Sequence, residues 1–122
     1  MNAFIRGLGL ACALIVALPA NAAIKVLATT SDWGSLVTEL GGDKVNVYTA
    51  TNPLQDVHRV DAKPSLVARA RTADLIVATG AELEIGWLPV LLQESGNPRV
   101  QPGAPGYFEV TSALRLLDFP TT

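Results

Sequence analysis

Asp74-Leu75-Ile76-Val77-Ala78-Thr79-Gly80 is the stretch whose reading decides the fold. A short aliphatic run closed by glycine reads as a buried strand. Upstream, Pro64-Ser65 opens a helix, since proline lacks only an N–H that the first helical position leaves unpaired anyway. Leu66, Val67 and Ala70 give that helix a narrow apolar face. Downstream, Leu83, Trp87, Leu88, Leu91 and Leu92 mark another helical face, and Pro89 in its first turn predicts a start no earlier than Ile85 or Gly86. Gly96-Asn97-Pro98 stops it.

The same alternation continues outward. Ile24 to Thr29 reads as an opening strand. Thr30-Ser31-Asp32 offers helix N-caps, and Trp33, Leu36, Val37 and Leu40 follow at i, i+3, i+4 and i+7, one face of a helix. Gly41-Gly42 ends it. Val45 to Thr49 is a second strand with alternating polarity, and Ala50 to Ala62 is a loop with Asn52-Pro53 as its turn signal. Beyond a proline- and glycine-rich connector, Tyr107 to Thr111 reads as a last short strand, and Leu114 to Thr122 shows no clear period. The order β-α-β-α-β-α-β with short connections predicts an α/β fold: a parallel sheet with helices on both faces. Such sheets bind ligands at the carboxyl ends of their strands. Three segments emerge there: Thr29 to Asp32, Ala50 to Asp61 and Gly80 to Glu84.

The N-terminus follows different rules. Arg6 precedes an uncharged apolar stretch, Leu8 to Leu18, which is short for a bilayer span; Pro19 breaks it and Ala20-Asn21-Ala22 is a small-residue cleavage site. Residues 1–22 are therefore expected to be a cleavable signal peptide that exports the protein to the periplasm, with residues 23–122 as the mature chain. The single cysteine, Cys12, lies inside the signal, and Gly9 stands where a lipid-attachment signal wants an aliphatic residue. The mature chain then has no cysteine, which excludes disulfides, zinc-thiolate sites and cysteine nucleophiles. Hydrophobic residues make up 49% and charged residues 16%, favouring a packed core over disorder. Without Arg6, eight basic side chains face 11 acidic ones, a formal charge of −3, and nothing resembles a nucleic-acid footprint.

Chemistry concentrates in Asp56-Val57-His58, because His58 is the only histidine. A histidine at a ligand-binding edge is a good first-row metal ligand and can donate its second N–H to a carboxylate that orients it. Asp56, two residues away in an extended loop, points to the same side; Asp61 and Glu84 are further carboxylate candidates. One histidine does not make a closed zinc site, which takes about four ligands. A surface histidine with a local hydrogen bond remains the plain alternative. A hydrolytic reading of Asp56 and His58 lacks a G-x-S-x-G elbow, and Gly41-Gly42 is no phosphate loop.

These pieces together resemble a known family. Thr29-Thr30-Ser31-Asp32-Trp33 after a strand, Gly41-Gly42-Asp43-Lys44-Val45, Asp56-Val57-His58 with Lys63-Pro64-Ser65, Ala73-Asp74-Leu75-Ile76-Val77 with Gly80, and Leu83-Glu84 with Trp87-Leu88 are similar to the periplasmic zinc/manganese-binding receptors of ABC metal importers. The resemblance runs from Ile24 to about Pro120. It implies that His58 ligates a zinc or manganese ion, the transported cargo; Asp56 and Glu84 stand beside it as candidate carboxylates for orienting the site. It also implies a membrane permease as partner and capture and release instead of catalysis. The chain departs from the pattern in carrying Val57 where many members have proline. The later ligands are absent, so residues 23–122 are expected to be an incomplete N-terminal lobe. The competing expectation is a secreted α/β interaction domain without metal.

Overall fold

The computed structural model describes residues 21–117. The signal peptide expected at 1–22 falls almost entirely outside them, as does the end of the aperiodic stretch from Leu114 to Thr122. The elements are β1 (Ile24–Ala28), α1 (Ser31–Gly41), β2 (Val45–Thr49), α2 (Pro64–Thr72), β3 (Leu75–Ala78), α3 (Leu88–Ser95) and β4 (Tyr107–Glu109). Short 3-10 turns at Gly42–Lys44, Pro98–Val100 and Val110–Ala113 link or follow them. The strands form one parallel sheet in the order β2-β1-β3-β4.

Register fixes the two faces. Leu27 pairs with Tyr48 and Ile76, and Ile76 with Tyr107; the next row is Ala28, Thr49, Val77 and Phe108. Successive strand residues point to opposite faces. The Arg69 guanidinium of α2 stacks over the Tyr48 ring at 4.6 Å, whereas Gly34 of α1 presses against Thr49. Helices therefore cover both faces, α1 on one and α2 with α3 on the other, as the β-α alternation predicts. The core lies on the α2/α3 side, where Leu27, Leu66, Ile76, Ala78, Leu88, Leu91, Leu92 and Val100 pack together. Asn97 closes one end of it: its amide donates to Ala70 O at 3.0 Å and Ala73 O at 2.8 Å, satisfying carbonyls at the end of α2.

Two expectations about the helices need correction. The α1 periodicity points Leu36 and Leu40 inward, yet they are 45% and 79% exposed and Gly34 is the buried residue. The helix sits so close to β2 that a Cβ at Gly34 would collide with the Thr49 hydroxyl, and this contact, made by the smallest residue, sets which side faces the sheet. No side chain caps α1 either: Thr30 is the N-cap residue, but its hydroxyl is enclosed without a hydrogen-bond partner. The third helix, α3, starts at Leu88 with Pro89 in its first turn, within the expected limit of no earlier than Ile85 or Gly86. The backbone after β3 passes through three left-handed residues, Gly80 (φ 82°), Ala81 (φ 50°) and Glu82 (φ 68°), and turns up to Trp87. A helix cannot propagate through that conformation.

Candidate metal site

In this strand order the chain leaves β1 in one direction and returns past it to β3. The reversal lies between β1 and β3, where loops diverge and leave a crevice at the carboxyl ends. The segments that emerge there are the three expected from sequence. Thr30, Ser31 and Trp33 after β1, Thr51, Gln55 and Val57 after β2, and Thr79 with Leu83 after β3 surround a hollow of about 280 Å³.

Each wall is tied down. Thr51, after β2, donates its hydroxyl to Thr29 O at 2.8 Å, and Ala50 N donates to Ala28 O at 2.8 Å. The Trp33 indole donates to the Thr79 hydroxyl at 2.8 Å. Glu84 is 3% exposed, and its carboxylate is fully engaged. One oxygen accepts from the Thr29 hydroxyl and from Thr79 N, both at 2.7 Å; the other accepts from Gly80 N at 3.0 Å. It thereby joins the ends of β1 and β3 across the reversal point, and its bonds go to these strands and not to His58. On the far side of this turn, Tyr107 donates to Glu109 at 2.8 Å. Burial first, then that bond, pushes the Tyr107 phenol above its ordinary range.

His58 stands on the β2–α2 loop with its side chain 66% exposed. Asp56 folds back on it in a tight turn: one carboxylate oxygen lies 2.8 Å from His58 Nδ1 and accepts from His58 N at 3.0 Å. Arg59 N donates to Asp56 O at 3.1 Å and completes the turn. The bond to the imidazole, and next the one from the His58 backbone, hold the Asp56 carboxyl below the usual carboxylate range. With Nδ1 occupied, Nε2 is the nitrogen available to a ligand. Proximity of positions 56 and 58 is readable in the sequence; that Asp56 engages both the ring and the backbone is not. Among the described residues, no group of three or more histidine, cysteine, aspartate or glutamate side chains is placed to hold an ion together, and no helix is long and apolar enough to cross a membrane.

Sequence reasoning does not attach Trp87 to the site. Its side chain is 3% exposed in the core, and its indole N–H donates to Val57 O at 2.7 Å. The L-E-x-x-W spacing carries a signal, but as a helical core position.

Comparison with known proteins identifies relatives of the chain. Over 97 residues the chain is 31% identical to the manganese ABC transporter substrate-binding lipoprotein PsaA of Streptococcus pneumoniae, covering 77% of this chain and 30% of that protein. Over 75 residues it is 31% identical to the manganese ABC transporter substrate-binding lipoprotein scaA of Streptococcus gordonii, covering 59% and 24%. The chain thus spans about a quarter to a third of the length of the curated relatives it matches. The fold matches the periplasmic metal binding protein from Candidatus Liberibacter asiaticus with a TM-score of 0.61 at 22% identity, over 76% of this chain and 33% of that one. A metal-free point mutant of a periplasmic metal binding protein from the same organism gives a TM-score of 0.51 at 25% identity, over 59% and 25%. The family model described as "ZnuA: Zinc-uptake complex component A periplasmic" matches residues 26–114, most of the chain, which therefore belongs to this family of metal-transporter substrate-binding proteins.

Proposed function

We propose that residues 23–122 form the N-terminal α/β lobe of a periplasmic receptor that captures zinc or manganese and hands the ion to the membrane permease of an ABC importer. Residues 1–22 serve as the cleaved export signal. The carrying observation is the His58 geometry: an exposed imidazole at the carboxyl edge of the sheet, with Nδ1 against the Asp56 carboxylate and Nε2 free. A carboxylate on the second nitrogen sets the tautomer and raises the basicity of the ligating one. Family membership supports the same reading. The task is binding and release, with no bond made or broken. One imidazole donor among the described residues supplies one of the roughly four ligands that a tight zinc site takes, so this chain by itself holds the ion weakly.

The test uses the solitary histidine as its own reporter. Zinc, and separately manganese, is titrated into the purified protein while the His58 ring is followed by NMR. Zinc should shift the ring resonances saturably and manganese should broaden them first. In His58→Ala, the zinc-dependent shifts of neighbouring amides should vanish. Ring signals unmoved by millimolar metal would sink the ligand assignment and leave a metal-free interaction domain as the better account.

A further inference from the structure

Among the described residues, the hydrogen bonds made by residues 54–61 run between near neighbours, with one exception. Leu54 N and Gln55 N bond to Asn52, while His58 N and Arg59 N bond to Asp56. The exception is the indole of Trp87, which donates to Val57 O at 2.7 Å from 30 positions away. The next carbonyl, that of His58, faces Gly86: a Cβ built there would lie 3.1 Å from it. Trp87 itself does not move freely. Its ring belongs to the core, and Trp87 N and Leu88 N both donate to Glu84 O, at 3.2 and 3.0 Å. The Glu84 carboxylate is in turn bonded to Thr29, Thr79 and Gly80. A continuous path runs from the ends of β1 and β3 through Glu84 and Trp87 to the peptide group immediately before His58.

We infer that Trp87 is the positioning residue of the His58 loop, fixing where the imidazole stands relative to the sheet edge through the indole-to-Val57 bond. This rests on the reading of His58 as a ligand. Asp56 orients the ring within its turn, whereas Trp87 places the turn on the fold. A ligand that must meet donors from elsewhere gains from being fixed in advance, since the ordering cost is then met during folding.

The decisive variant is Trp87→Phe, which keeps an aromatic ring and removes the N–H. Backbone ¹⁵N relaxation separates positioning from general weakening. Amide order parameters over 56–61 should fall from about 0.85 to about 0.6, while those of Ile76 and Leu91 stay near 0.85. Substoichiometric manganese should broaden the Gly86 amide in the native protein, and in Trp87→Phe that broadening should drop several-fold while Asp56 and Arg59 amides remain broadened. Gly86→Ala keeps the indole bond and should shift the His58 and Arg59 amides without mobilising them. Unchanged order parameters and Gly86 broadening in Trp87→Phe would overturn the inference, as would loosening spread equally over the whole chain. His58→Ala, titrated in parallel, tests the ligand reading alone: full zinc response in that variant removes the ligand and leaves the tether standing.

Discussion

Glu84 is the residue whose loss should be felt most widely in the fold. Its carboxylate is buried, meets no cation among the described residues, and accepts from three donors, two of them backbone N–H groups. Glu84→Gln preserves shape but offers one acceptor oxygen and one donor NH₂. Whichever way the amide is turned, one backbone N–H then faces another donor. A buried donor left unpaired costs about 1–3 kcal/mol, and the surviving bonds fall from charge-assisted to neutral strength, about 1 kcal/mol each. The sum for Gln is about 3 kcal/mol. Glu84→Ala abandons all three donors and opens a cavity, for about 5 kcal/mol. Against a typical total of about 5–15 kcal/mol, the alanine variant approaches unfolding. Thr29→Val, at a fully buried position, removes a single donor and should cost about 1.5 kcal/mol. Urea denaturation followed by tryptophan fluorescence reads all three, helped by the Trp33 indole bonded to Thr79 beside the site. The midpoints should fall in the order Thr29→Val, Glu84→Gln, Glu84→Ala with the slope m unchanged. A Glu84→Gln variant within about 0.5 kcal/mol of the native protein would refute the argument, because it would mean that the carboxylate's bonds are not made in solution.

Three further outcomes follow from other contacts. The folded Asp56 carboxyl is lowered below its ordinary value of 3.8, so its bond to His58 is fully present above that pH and is lost as the pH falls through the lower folded value; carboxyl ¹³C titration should show the lowered value, and His58→Ala should bring it only part of the way back, because the bond from the backbone N–H at 58 survives. Gly34→Ala forces a Cβ into the Thr49 hydroxyl and should destabilise by about 1–3 kcal/mol, with Thr49→Ala recovering most of the loss in a double-mutant cycle. Ala81→Gly should stabilise by about 1 kcal/mol, because Ala81 carries a left-handed backbone at φ 50° that glycine adopts without penalty; a lower thermal midpoint in that variant would contradict it.

The sheet was legible because its signal is local. Leu75 to Ala78 has no polar residue to satisfy and glycine soon after to end it, and it forms β3 as read; Ile24 to Ala28 and Val45 to Thr49 follow the same logic. The helix positions were legible too, but not their facing. Periodicity states which residues share a side, and it says nothing of how near the neighbouring sheet lies. At α1 the approach is set by Gly34 against Thr49, which sequence hydrophobicity cannot register, and Leu36 and Leu40 remain in solvent. At α3 the apolar spacing was real, since Trp87 and Leu88 are both buried. It spans a left-handed turn and a helix, and Pro89 in the first turn of α3 is the signal that separates the two.

The two carboxylates singled out beside His58 show where sequence reading of a site stops. Asp56 and Glu84 are chemically near-identical, and each lies on a loop at the same edge of the sheet. Asp56 is two residues from His58, and that distance alone confines its reach to the ring; its side chain is 57% exposed, and its bonds are those of a local turn. Glu84 is 26 positions further along the chain than His58, and where its carboxylate points depends on the reversal of strand order, which brings Thr29 and Thr79 together. Burial then decides its role. A carboxylate in the open can turn to an incoming cation, whereas one enclosed and holding three donors would have to break those bonds to do so, at several kcal/mol. Glu84 therefore acts on the site through the turn it holds, and Asp56 through the imidazole it touches.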